Sequence, residues 1–150
     1  MTPAISTTTT TTESATVTTA GIVSRLCLLL LCSAYLQGGL VKAFDFPSAI
    51  AEMQRFGLAP ALPFAVVAIA GELGGSILVV TGWLRWLGAA YLGVFTLVAT
   101  FVANRFWESS GPARMMAENG FFEHLGLAGA FFLVAWIDVR SRRNGRMQRR

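Results

Sequence analysis

Apolar residues gather along this chain into long runs at 21–41, 61–82, 86–103 and 121–139, separated by shorter polar segments. The second run, ALPFAVVAIAGELGGSILVVTGW from Ala61 to Trp83, has no ionisable side chain between Ala61 and Gly82 except Glu72. At about 1.5 Å per residue such a helix spans roughly 30 Å, the thickness of a bilayer's hydrocarbon core. The pattern therefore predicts a transmembrane helix with an acid near mid-depth. A lone charge there is costly, so Glu72 is expected to face other helices, protonated or paired.

The run GIVSRLCLLLLCSAYLQGGLV reads as the first span, with Arg25 and Lys42 snorkelling at its two ends. Arg25, the leucines and Cys-Ser-Ala resemble a signal peptide, but the apolar stretch continues to Val41, long enough to cross, and Leu31 before Cys32 is unlike a lipoprotein cleavage site. Gln37, about a turn from Lys42, requires a partner if buried. Only the short turn GWLR separates the second span from the third, which predicts an antiparallel hairpin. The fourth span, FFEHLGLAGAFFLVAWIDV, carries Glu123 and His124 in its first turn. Small residues four apart, Gly71 with Gly75, Ala89 with Gly93 and Gly126 with Ala130, mark faces where helices can approach closely.

The connecting segments 42–60 and 104–120 carry helix signals of their own. Pro47 can open a short helix that Gly57 closes, with Phe46, Ile50 and Met53 on one face and Glu52 and Arg55 on the other, a pattern that fits an amphipathic helix on the membrane surface or, alternatively, an ordinary packed loop. Pro112 and Gly120 suggest a second. The expected fold is all-α: a polytopic membrane protein, an antiparallel four-transmembrane-helix bundle with two extracytoplasmic loops carrying short amphipathic helices. A disordered threonine-rich tail, residues 1–20, precedes the membrane domain at 21–139, and a basic tail, 140–150, follows it.

Composition agrees: 54% of the 150 residues are hydrophobic and 13% charged, against about one quarter charged in soluble domains. The net charge of +4 is concentrated in the tail RSRRNGRMQRR. Beside an apolar helix, such a tail is explained by topology and anionic lipid, and without an aromatic-interleaved basic groove nucleic-acid binding is not expected. Cys27 and Cys32 share one helix and sit roughly 8–9 Å apart, too far for a disulfide. With a single histidine, no metal cluster of familiar spacing is present.

Basic residues also set the orientation. Arg25, Arg85, Arg140, Arg142, Arg143, Arg146, Arg149 and Arg150 fall on one side. Lys42, Arg55, Arg105 and Arg114 fall on the other, matched by Asp45, Glu52, Glu108 and Glu118. The positive-inside rule places both termini in the cytoplasm. The two loops then lie over the end of the bundle that holds Gln37, Lys42, Asn104, Arg105, Asn119, Glu123 and His124. This polar cap above Glu72 is the most function-like arrangement in the sequence. For Glu72 the alternatives are a proton relay or quinone-headgroup partner, and an interhelical bond that fixes packing. Glu123 and His124 point about 100° apart on a helix and are not a ready-made dyad.

In order, Arg25 opens the first span and Gly39 to Lys42, a G-x-x-K pattern, closes it. Glu72, Leu73, Gly74 and Gly75 lie mid-way along the second, and Gly82 and Arg85 mark the tight turn. Over residues 21–139 this order resembles the DoxX family of four-helix membrane proteins. The resemblance implies a small multi-pass protein of the inner (plasma) membrane. Some family members resemble the small subunit of thiosulfate:quinone oxidoreductase or partners of thiol-redox enzymes. An accessory or scaffold in a membrane redox, sulfur or thiol-metabolism complex is thus expected, with the lipid bilayer and redox proteins as partners and self-association compatible. The alternative is a quinone-interacting oxidoreductase subunit using Glu72 with Lys42 or His124, and quinone is then the cofactor. The sequence departs from dithiol members in lacking a C-x-x-C pair. A transporter is disfavoured by the lack of broken-helix pairs and inverted repeats.

Overall fold

A computed structural model describes residues 8–147 of the protein, with side chains for 21–145 and 147. The elements are α1 (Thr8–Phe44), α2 (Phe46–Arg55), α3 (Ala61–Thr81), α4 (Arg85–Ala103), a 3₁₀ turn at Phe106–Glu108 and α5 (Gly111–Met147). Four stretches, Gly21–Phe44, Ala61–Thr81, Arg85–Glu108 and Gly111–Gly145, are long and apolar enough to cross a membrane. Their outward faces are greasy: Leu30 is 72% exposed, Val98 60%, and Val67 and Leu133 58% each. A girdle of that kind is suited to lipid tails rather than water.

Contacts between neighbouring helices run in opposite directions, which fixes the bundle as antiparallel. Cys32 of α1 lies against Ser76 of α3, whereas Gly39, further along α1, lies against Leu73. Likewise Gly71 meets Tyr91 and Gly88 meets Val79 between α3 and α4. Between α4 and α5, Trp86 is joined to Asp138 at one end and Asn104 to His124 at the other. The core is built from Leu28, Cys32, Tyr35, Val79, Ala89, Leu92 and Phe131, with Tyr35 edge-on to Phe131 at 5.2 Å between ring centroids.

Small residues permit these close approaches. At Gly88 an added Cβ would lie 2.7 Å from the backbone oxygen of Gly75, and at Gly93 2.9 Å from the Phe132 ring. Gly71, Gly75, Ala89 and Gly93 lie where helices meet. The pair Gly126 and Ala130 does not follow suit. Gly126 is exposed and would meet nothing within 4 Å, because the buried α5 face that carries Ala128 and Phe131 lies roughly opposite to it around the helix.

The tight turn has a mechanism. Gly82 ends α3 at φ 83°, a left-handed conformation that costs glycine little, and Leu84 follows at φ 55°. Arg85 donates from Nε to the Val79 carbonyl at 3.0 Å, satisfying one of the carbonyls left over at the end of α3. Arg142 reaches the Gly82 carbonyl at 3.2 Å and Asp138 at 2.7 Å, tying α5 to the same turn.

Three features differ from the sequence reading. First, α2 begins where expected, with Pro47 in its first turn and the Asp45 carboxylate accepting from the Ser48 amide at 3.2 Å. Its apolar face, however, is not turned to lipid. Ala49 and Met53 pack on Ala65 with Ile50 and Ile69, so α2 covers the N-terminal end of α3. Second, the helix that Pro112 opens does not stop at Gly120. It runs unbroken into the fourth span as α5, about 55 Å long in all. Third, α1 extends upstream of its span to Thr8, through much of the threonine-rich segment. Continuing an existing helix is far cheaper than nucleating one.

Candidate functional site

On α1 the positions 28, 32, 35, 39 and 42 recur at alternating spacings of four and three, and so lie along one face. Leu28, Cys32, Tyr35 and Gly39 of that stripe are buried. Its last member is Lys42. On α3 the corresponding stripe is Ala65, Ala68, Glu72, Ser76 and Val79, all buried. Where the two stripes cross, the Lys42 ammonium donates to both oxygens of the Glu72 carboxylate, at 2.9 and 3.1 Å. The side chains retain 16% and 8% of their exposure.

Glycines create the space for this pair. A Cβ at Gly38 would sit 3.5 Å from both Glu72 Oε2 and Lys42 Nζ, so Gly38 forms one wall of the site. A Cβ at Gly39 would lie 2.8 Å from the Leu73 side chain, so this glycine sets the approach of α1 to α3. On the far side of α3, Gly71 receives the Tyr91 ring.

A second polar contact lies deeper in the bundle. The Tyr35 and Thr96 hydroxyls are 2.5 Å apart, and Thr96 also donates to the Leu92 carbonyl at 2.5 Å. Since that bond uses the threonine proton, Tyr35 is the donor to Thr96. Ser76 donates to the Glu72 carbonyl at 2.6 Å, with Cys32 beside it. Among the described residues no buried side-chain nitrogen or oxygen lacks a partner. A network satisfied to this degree holds a bundle in one arrangement. To do proton chemistry it would first have to part Lys42 from Glu72.

The other sequence candidates are not drawn into this centre. Gln37 is exposed, because it lies about 200° around α1 from Tyr35 and so points away from the buried stripe. Arg25 is exposed at the start of the span, where an anchoring role suffices. Glu123 is exposed as well. His124 belongs to a separate group at the α4–α5 end: its Nδ1 donates to the Gly120 carbonyl at 2.6 Å, and the Asn104 amide lies 3.4 Å away. The polar cap expected above Glu72 therefore resolves into two sites, Lys42 with Glu72 and His124 with Asn104, that share no hydrogen-bond partner. Sequence reasoning missed Tyr35, Ser76 and Thr96. The four-and-three spacing of the α1 stripe was the signal that pairs Tyr35 with Lys42. Among the described residues no group of three or more His, Cys, Asp or Glu could hold a metal ion.

Comparison with known proteins bears on the same residues. The chain is 24% identical over 114 residues to the inner membrane protein YphA of Escherichia coli (strain K12), covering 76% of this chain and 79% of that protein. No solved structure matches it. The DoxX family profile matches residues 23–105, which take in nearly all of the first three spans, the Lys42–Glu72 pair and the Gly82–Arg85 turn. By that match, over more than half its length, this integral membrane protein belongs to the DoxX family.

Proposed function

We propose that the protein is a multi-pass inner-membrane scaffold, an accessory component of a membrane-associated redox, sulfur or thiol-metabolism complex. The observation that carries this reading is the Lys42–Glu72 pair: both carboxylate oxygens are occupied by an ammonium from the neighbouring helix. An acid held in that way is suited to fixing helix register rather than to turnover. The membrane is suggested by the relative's name, inner membrane protein YphA. The redox or thiol context comes from the resemblance to family members that accompany such enzymes. Both termini are placed in the cytoplasm by the positive-inside rule.

The test is a pull-down in gentle detergent with mass spectrometry of proteins and bound lipids. A scaffold co-purifies with a redox or thiol-processing protein, and Glu72→Gln keeps that partner as long as the bundle stays folded. A second reading, quinone handling, is favoured by the residual exposure of Lys42, which at 16% leaves the ammonium in reach of a headgroup entering from the lipid. On that reading the purified protein retains quinone, and a folded Glu72→Gln variant loses it. Recovery of the folded protein with neither a redox or thiol-processing partner nor quinone would overturn both readings.

A further inference from the structure

Past the end of its apolar run, α5 stays helical to Met147, so the first residues of the basic tail are held in register. Two stripes with a spacing of four, Trp136–Arg140–Asn144 and Ile137–Ser141–Gly145, lie side by side on that helix. Together they form one open face of α5. Its chemistry changes in one direction. Trp136 and Ile137, 65% and 57% exposed, form an apolar floor at the end nearer the membrane. Arg140 and Ser141 come next, and Asn144 and Gly145 lie at the other end. Arg140 has no ion-pair partner among the described residues, whereas Arg142, on the opposite side of the helix, is engaged by Asp138 and the Gly82 carbonyl. Arg143, one turn on from Arg140, is exposed as well.

We infer that this face of α5 is a binding site for an anionic phospholipid, with the acyl chains against Trp136 and Ile137 and the phosphate against Arg140, Ser141 and Asn144. The sequence of apolar, cationic and neutral polar groups follows the order in which a phospholipid presents tail, phosphate and headgroup. Tryptophan at the headgroup boundary and arginine just beyond it are the residue types that this interface selects. A soluble anion would use the arginine and leave Trp136 and Ile137 without a role. The inference does not depend on the scaffold reading.

The test uses the full chain in mild detergent and native mass spectrometry with phosphatidylglycerol and phosphatidylcholine of identical acyl chains. Phosphatidylglycerol is expected to be retained over phosphatidylcholine. Arg140→Gln lowers its retention about fivefold, the loss of one surface cation facing an anionic headgroup. Arg140→Lys restores most of it, and Trp136→Ala lowers retention of both lipids. Arg114→Gln, at the other end of α5, removes the same charge and changes nothing. Equal retention of the two lipids overturns the site, as does an Arg114→Gln loss matching that of Arg140→Gln. Displacement of phosphatidylglycerol by millimolar inorganic phosphate would assign the face to a free anion and overturn the lipid.

Discussion

Lys42 and Glu72 can be separated one side at a time, and the structure says the two halves are not equivalent. With Lys42→Met the Glu72 carboxylate keeps its 8% exposure and loses the group that holds both its oxygens. Stranding one member of a buried pair costs about 3–5 kcal/mol. With Glu72→Met the stranded group is the ammonium, which sits near the end of α1 and is 16% exposed. It can swing toward the headgroups, so the expected loss is smaller, about 1–2 kcal/mol. The double variant Lys42→Met/Glu72→Met puts two apolar chains of similar length in the same space and is expected within about 1 kcal/mol of the starting protein. Cys32 supplies the assay. It is fully buried on the α1–α3 seam, whereas Cys27 is exposed. In a Cys27→Ser background a thiol-reactive dye therefore reports opening of the bundle on heating. At about 2–4 °C per kcal/mol for a chain of this size, Lys42→Met lowers the midpoint by about 10 °C. Glu72→Met lowers it by only a few degrees, and the double variant returns close to the original value. A double variant as unstable as the sum of the singles would mean that the two residues are not coupled, and would refute the argument.

Glycines of similar appearance should respond in opposite ways. Gly88→Ala drives a Cβ to 2.7 Å from the Gly75 carbonyl, a backbone atom that cannot step aside, and should cost about 1–3 kcal/mol in the same dye assay. Gly74→Ala and Gly126→Ala, where nothing lies within 4 Å, should be neutral or raise stability by up to about 1 kcal/mol through helix propensity. Tyr35→Phe removes the bond to Thr96 and should cost about 0.6 kcal/mol, the usual worth of an interhelical bond in membranes, without changing the fold by circular dichroism. Reporter fusions at the N- and C-termini should both read as cytoplasmic. Opposite readings from the two would contradict an even number of crossings.

How much of this was legible in the sequence depended on what each feature rests on. The spans were, because lipid thickness demands about 20 apolar residues whatever the fold. Helix ends were not. Gly120 looks like a stop, yet a mid-helix glycine costs only about 1 kcal/mol, and His124 donates back to its carbonyl while Asn104 fills the space beside it. The importance of Glu72 followed from its position, but two partners were open, and Lys42 and His124 are chemically both plausible. Lys42 alone continues the buried stripe through Leu28, Cys32, Tyr35 and Gly39. Gln37, two positions from Tyr35, points elsewhere despite the same polarity. The small-residue motifs make the limit plain. Gly71 and Gly126 read alike, yet one is filled by Tyr91 and the other is vacant. A glycine states that a helix can come close; which helix arrives is decided by the side chain that another element brings to it. Lys42 is in turn served by Gly39, which lets α3 come close enough to α1 for the ammonium to reach Glu72. For that reason the ion pair and the glycine beside it form one device, and substituting Gly39, where a Cβ would lie 2.8 Å from Leu73 and 3.3 Å from the Glu72 Cβ, should loosen the pair without touching either charge.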